Sequence, residues 1–230
     1  MGQHFLPGNP PVELILRRSA RARRISLRVS SLDGRVTLTL PRGVPDAEAL
    51  SFARQKEAWL RKHLDRRVED VDVGFGAVLP VEGILRDVVP GHGRAVRLFD
   101  DCLEVPGAPD RVGKRVAAWL KQMARDRLVG ASDRYASQIG RKYNRISLRD
   151  TRSRWGSCSH EGRLMYSWRL ILAPAETLDY VAAHEVAHLQ EMNHSPAFWA
   201  VVERLCPEYD CHRRWLREEG TALHRYRFGN

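Results

Sequence analysis

A helix that is apolar on every side has to be buried, and the window between Asp179 and Gln190 is such a helix except at three places. It reads Tyr180-Val181-Ala182-Ala183-His184-Glu185-Val186-Ala187-His188-Leu189, so a carboxylate and two imidazoles interrupt an otherwise apolar surface. Burying those groups without partners costs several kcal/mol, and a metal ion supplies the missing partner. His184 and His188 stand four residues apart, about 40° around a helix of 3.6 residues per turn, so both rings reach one ion. Glu185 points to the side, close enough to accept a proton from a water at the metal without being a ligand. This is the His-Glu-x-x-His arrangement of zinc hydrolases. The competing reading is two core histidines bonded to backbone carbonyls, with Glu185 paired to an arginine. It has to account for three polar groups close together on one buried helix.

A catalytic zinc keeps three protein ligands and an open position. His194 is the best-placed third ligand. Asn193 can take the left-handed conformation that ends a helix, and Ser195-Pro196 reads as the N-cap and first residue of the next helix. A carboxylate on that following helix, Glu203 or Glu208, is the competitor; the shorter tether favours His194.

Upstream of this helix the chain reads as α+β. Residues Arg24 to Ser30 alternate, with Ile25, Leu27 and Val29 on one face, and Val36, Leu38 and Leu40 repeat the pattern. With Asp33-Gly34 between them they predict a β-hairpin with one wet, basic face. A helix follows from Asp46 to about Leu64, carrying Phe52, Ala53, Leu60 and Leu64 as its buried stripe. Short apolar runs from Phe75 to Val105 predict small strands, and Pro106-Gly107-Ala108-Pro109 reads as a linker. The expected organisation is a β-rich region over 1–108 and a helix/sheet hydrolase domain over 109–230. Within the second, a helix spans about Arg111 to Ile139, and strands span Arg145 to Arg149 and Arg163 to Leu172. Arg154-Trp155-Gly156-Ser157-Cys158 lies in the link between those strands. Trp155 and Ser157 either line the cleft, or Trp155 anchors the core beside a bulge at Gly156.

Composition excludes several classes. With 43% apolar and 29% charged residues the chain is neither disordered nor fibrous. No apolar run reaches the roughly 18 to 20 residues of a membrane span. Residues 1–7 lack the basic start and apolar run of a secretory signal, and four cysteines are too few for a disulfide scaffold. The expectation is a soluble, cytoplasmic protein with no membrane partner and with incidental, reduced thiols. The net charge of +10 favours contact with polyanions. Six arginines fall between Arg17 and Arg28 with no acid among them, so nucleotide or nucleic acid is an open partner through the hairpin; a solvated strand face is the plainer reading.

Three segments together resemble the YgjP-like metallopeptidase family, a compact relative of the SprT-type zincins: Arg154 to Cys158, the run Trp168-Arg169-Leu170-Ile171-Leu172-Ala173-Pro174, and His184 through His194 with Ser195 and Phe198-Trp199. The likeness extends to the arginine-rich hairpin. It implies a zincin-like domain with His184, His188 and His194 as zinc ligands, Glu185 as the catalytic residue, and a peptide or protein substrate. The family commonly has Asn before the Trp of the Trp-Arg-Leu run, where this chain has Ser167.

Three functions stand open at this level. A peptidase is favoured by the helix and the resemblance. A nucleotide phosphoanhydride hydrolase is permitted by the charge, although no G-x-x-x-x-G-K-[ST] loop occurs. The third is a nucleic-acid-associated zinc protein recruited by its basic hairpin. Tyr166 and Arg169 are weak candidates for stabilising an oxyanion.

Overall fold

The protein is described by a computed structural model covering residues 4–30, 34–65 and 69–229. The chain is α+β and divides into two compact units, Met1–Glu69 and Asp70–Asn230. No described helix is long and apolar enough to cross a membrane.

The first unit opens with β1 (His4–Leu6), β2 (Val12–Arg18), β3 (Ser26–Val29) and β4 (Val36–Leu40), which form one sheet in the order β1-β2-β4-β3. The pairing of β3 with β4 is antiparallel, Val29 opposite Val36, as alternation predicts. Asp33, expected in the connecting turn, lies outside the described residues; Gly34 follows in the left-handed region at φ 68°. Arg24 precedes β3 rather than sharing its face with Arg28. The single helix expected from Asp46 to Leu64 is two, α1 (Asp46–Gln55) and α2 (Glu57–Asp65). Lys56 flattens to ψ 11° between them, its N–H shared between the carbonyls of Phe52 and Ala53. Ala49, Ala53 and Leu60 still bury one continuous stripe against Leu14, Leu38 and Leu40, which is why the break is silent in the hydrophobic pattern.

The division falls ahead of the Pro106–Pro109 boundary expected from composition. The small strands β5 (Val71–Asp72), β6 (Val78–Val81), β7 (Ile84–Pro90), β8 (Arg97–Leu98) and β9 (Cys102–Val105) belong to the second unit. Leu79, Val81, Val88, Leu103 and Val105 are buried in the same core as α3 (Val112–Gln138). That helix is about 40 Å long. It buries Val112, Val116, Leu120, Ala124 and Leu128, four residues apart, a stripe that advances about 40° at each step and so winds slowly around the axis.

Against α3 lie β10 (Arg145–Arg149), β11 (Gly156–Cys158) and β12 (Arg163–Ser167), ordered β10-β12-β11 with β11 at an edge. The link expected between two strands therefore contributes a third. Its pairing is regular, Gly156 opposite Tyr166 and Cys158 opposite Leu164, with no bulge at Gly156. The strand expected to reach Leu172 stops at Ser167, and Trp168–Leu172 wind into a 3₁₀ turn buried at every residue. A fully buried apolar run has no period to distinguish the two conformations. Next come α4 (Ala175–Ala187), α5 (Pro196–Leu205) and α6 (Tyr209–Glu218), a 3₁₀ segment at Gly220–Arg225, and β13 (Tyr226–Arg227) paired in parallel with β5.

Arg169 ties these pieces together from inside. It is buried, donates to both carboxylate oxygens of Asp150 at 2.7 and 3.1 Å, and caps the carbonyls of Leu223 and Tyr226 at 3.1 Å each. Beside it the hydroxyl of Ser167 is buried without a hydrogen-bond partner. An unpaired buried hydroxyl destabilises by about 1 kcal/mol or more. Ser167→Ala should therefore raise the urea midpoint by an amount equivalent to about 1 kcal/mol at unchanged m-value; a lowered midpoint would mean that the hydroxyl is paired in solution.

Candidate metal centre

The elements around α4 determine what its three polar groups face. The small residues Ala182, Ala183 and Ala187 and the buried Val181 and Val186 pack α4 into the core beside α3. On a helix anchored this way, His184 and His188 project toward α5, while Glu185, about 100° further round, projects toward β11. α4 ends at Ala187, with His188 as C-cap at φ −63° and ψ −17°. The chain then tightens through N–H bonds from Leu189 to Val186 and from Gln190 and Glu191 to Ala187. Asn193 is not left-handed as expected; among described non-glycine residues only Glu82 has positive φ. The reversal is made by that tightened turn and by the Ser195 N–H donating to the Asn193 carbonyl at 2.7 Å. Ser195 caps α5 as the sequence predicts, its hydroxyl accepting from the Phe198 N–H at 3.4 Å, with Pro196 at the first helical position.

The result is a triad. One ligand-type atom from each of His184, His188 and His194 lies within 4.8 Å of the others, and the Nε2 atoms of His184 and His194 are 3.1 Å apart. Glu203 and Glu208, the alternative third donors, are not part of this group. Glu208 instead lines a separate cavity with Glu176, Asp179 and Cys206. The Nδ1 of His188 is 3.1 Å from the Glu191 carbonyl and donates to it, which leaves Nε2 with its lone pair free. Phe198, fully buried on α5, forms the floor of the triad: its ring centre is 4.4 Å from that of His188, 4.7 Å from His194 and 4.9 Å from His184. Trp199 stands 5.8 Å from both His184 and His194. His194 is exposed, so the site opens on its side.

Burial governs the charge states. Desolvation, reinforced by the neighbouring imidazoles and Arg213, pulls His184 down to about 3, and desolvation also lowers His188. Glu185, 6% exposed, is pushed up to about 8 by desolvation, against the opposing pull of the Arg154 guanidinium. Two of the imidazoles are thus held neutral beside a carboxyl that binds its proton tightly.

Glu185 also has a neighbour that sequence reasoning missed. A Cβ on Gly156 would stand 2.5 Å from its Oε1 and 2.7 Å from its Cδ, so only glycine lets β11 lie directly on the carboxyl. The signal was the glycine inside Arg154–Cys158, but nothing local links it to a helix that begins beyond residue 170. Trp155, alongside, stacks on His224 at 5.3 Å and is half-buried. Neither weak oxyanion candidate is available. Tyr166 is fully buried with its hydroxyl on Ser132 at 3.0 Å, and the guanidinium of Arg169 is buried and committed to Asp150 and two carbonyls.

The donor set fits a borderline divalent ion: three nitrogens, no oxygen ligand, and a separation close to the ~3.3 Å between two nitrogens of a tetrahedral zinc site. The buried Nδ1 of His184, which has no partner, marks the same side chain as one whose polar needs the protein leaves unmet. Converging neutral imidazoles beside a buried carboxyl place the protein in the class of metal-dependent hydrolases. The chain belongs to the YgjP-like family: the family model "YgjP-like, metallopeptidase domain" matches residues 23–219. A solved structure, the crystal structure of the metallopeptidase zymogen of Pyrococcus abyssi abylysin, is 19% identical over 40% of this chain and 95% of its own, with a TM-score of 0.37. Likeness at that level does not carry a fold assignment. No curated protein matches the chain.

The metal-free protein should show these charge states in its stability. Between about 3 and its ordinary 6.5, His184 is neutral when folded but protonated when unfolded, so stability falls as pH drops through that window. Between its ordinary 4.5 and about 8, Glu185 is protonated when folded but ionised when unfolded, so stability falls as pH rises through that window. From 6.5 to 8 only the Glu185 slope remains of these two. Denaturant unfolding of metal-free protein should become easier across that interval, and Glu185→Gln should remove most of the slope. A slope that persists in the variant would assign it to other groups.

Proposed function

We propose that this protein is a zinc-dependent metallopeptidase in which His184, His188 and His194 hold the ion and Glu185 is the general base. The observation that carries the reading is the convergence of three imidazoles, two of them neutralised by burial, beside a carboxyl that is itself buried. A three-nitrogen set favours zinc over calcium or magnesium, which take oxygen ligands. Zinc bound there supplies a Lewis acid that polarises a substrate carbonyl and makes a water easier to deprotonate.

The chain's own residues do the rest. Glu185 takes the proton of the attacking water on its carboxylate and returns it to the leaving amine. Its affinity for that proton comes from burial, and its position from the contact with Gly156. His188 keeps its free electron pair on Nε2 because Nδ1 is committed to the Glu191 carbonyl. Phe198 closes the floor against water, which strengthens every electrostatic interaction above it.

A peptide substrate is favoured over a nucleotide by the neighbouring sheet edge. The carbonyl of Trp155 accepts from Ser167, and the N–H of Ser159 donates to Arg163, so the odd-numbered residues of this stretch face β12. Alternation then turns the N–H and C=O of Gly156 and Cys158 to the open side, beside Glu185. An extended peptide can add there as a further strand, with its backbone held next to the base.

Zinc-loaded protein and its Glu185→Gln variant, assayed together on casein and on nucleoside triphosphates, test the reading. The variant should keep one equivalent of zinc and lose casein hydrolysis by at least about 10²-fold. Equal turnover by the two would make Glu185 structural, and triphosphate hydrolysis that vanishes in the variant would move the substrate class. His188→Ala should lose the metal, and a full equivalent retained would place the ion elsewhere. Gly156→Ala should keep both fold and zinc, yet fall in turnover by about 10²-fold because its methyl displaces the Glu185 carboxyl. Unchanged turnover would mean that β11 yields instead.

A further inference from the structure

The sheet of the first unit has one face covered by α1 and α2 and one face left open. Leu14, Leu38 and Leu40 point to the covered side, so the intervening residues of β2 and β4, and their partners on β3, form the open one. The register arranges them in rows across three strands: Ile15, Thr37 and Arg28 in one row, Arg17, Thr39 and Ser26 in the next. Phe5 extends the face onto β1. It is 53% exposed and Ile15 is 40% exposed, an unusual state for an aromatic and a branched aliphatic side chain on a strand.

The charge on this face is one-sided. Arg17 and Arg28 are exposed, and among the described residues no carboxylate bonds to either of them. Arg18 makes the contrast: it turns to the sheet end, where it pairs with Asp46 and donates to the carbonyls of Arg42 and Val44. Arg21, Arg23 and Arg24 follow in the exposed link to β3, and they too have no carboxylate partner among the described residues. Glu13 is the one acid of the face among the described residues.

We propose that this open sheet face binds single-stranded nucleic acid. Arg17 and Arg28 stand two strand spacings apart and one row out of step, about 12 Å, on either side of the threonine hydroxyls of β4, a spacing that lets them engage different phosphates of one strand. Phe5 and Ile15 offer an apolar platform for unstacked bases, a surface that a duplex, with its bases inside, does not use. A lipid surface fits poorly, because the centre of the face is hydroxyl-bearing rather than apolar. An acidic peptide would answer the arginines but leave Phe5 and Ile15 exposed.

Anisotropy of a labelled oligothymidylate with the full-length, zinc-loaded protein, measured over a range of salt, tests this. Binding should weaken steeply with salt. Arg17→Gln with Arg28→Gln should reduce the slope of log K against log salt by about 1.4, two phosphates at about 0.7 each, while the double Lys variant keeps the slope. Phe5→Ala should weaken binding about tenfold without altering the slope. Casein hydrolysis followed on the same samples should not change, which separates this surface from the proposed peptidase site. The proposal is overturned by absence of binding at low salt, by a slope that the double Gln variant leaves intact, or by duplex DNA, polyglutamate or anionic vesicles competing as well as unlabelled single strand.

Discussion

Withdrawing Glu185 and His184 from water is the constraint around which the second unit is organised. A shift of one pKa unit corresponds to 1.36 kcal/mol, so moving His184 from 6.5 to about 3 and Glu185 from 4.5 to about 8 each reflects on the order of 5 kcal/mol between the two protonation states, with desolvation the largest cause. Both shifts act in the same sense: each group is driven to its neutral form. Neutral imidazoles are donors, and a carboxyl with a strong hold on its proton is a strong base once ionised. A cation placed among them reverses the preference of Glu185 by favouring its charged form. At the proposed metal site, what is a cost in the metal-free fold would therefore become affinity for the ion.

That burial is imposed from three directions, each by a different physical means. α3 packs against α4 in one core, where small residues of α4 are buried. α5 supplies the floor through Phe198, whose backbone N–H is taken by the Ser195 cap; the hydrogen bond that starts the helix also seats the ring under the histidines. His194 precedes that cap by one residue and so inherits its placement from the same bond. β11 closes the third side with a bare glycine, the only residue thin enough to lie on the carboxyl.

The features legible in the sequence were those fixed within a few residues. The spacing of His184 and His188, the apolar setting of their helix, and the Ser195-Pro196 start of α5 all follow from local geometry. The third histidine was within reach for the same reason, although the turn that delivers it differs from the left-handed Asn193 expected. Contacts across the fold were not legible. Gly156 and Glu185 come from different elements, and no periodicity relates them. The 3₁₀ turn at Trp168–Leu172 reads as a strand because burial on all sides erases the pattern that separates the two. The early end of the first unit was hidden in a similar way, since the strands between residues 71 and 105 reveal their allegiance only by packing on α3.

Two arginines, one bonded to the start of a short loop and one near its end, divide the labour around Glu185. Arg169 is buried and bonded to Asp150 and two carbonyls, so its charge is spent inside the fold and its effect is mechanical. It fixes Asp150, where the loop leaves β10. The loop is then stiffened by the Thr151 hydroxyl donating to the Arg154 carbonyl at 2.8 Å, and it ends where Trp155 stacks on His224 and bonds Ser167. Arg154, by contrast, is exposed, and its charge reaches Glu185, favouring the ionised carboxylate against the burial that disfavours it. Because Gly156 is joined directly to this loop, the anchoring at Asp150 and the electrostatics at Arg154 converge on the same carboxyl. The basicity of Glu185 is thus set by packing and trimmed by a single outside charge, and both are delivered through seven consecutive residues, 150 to 156.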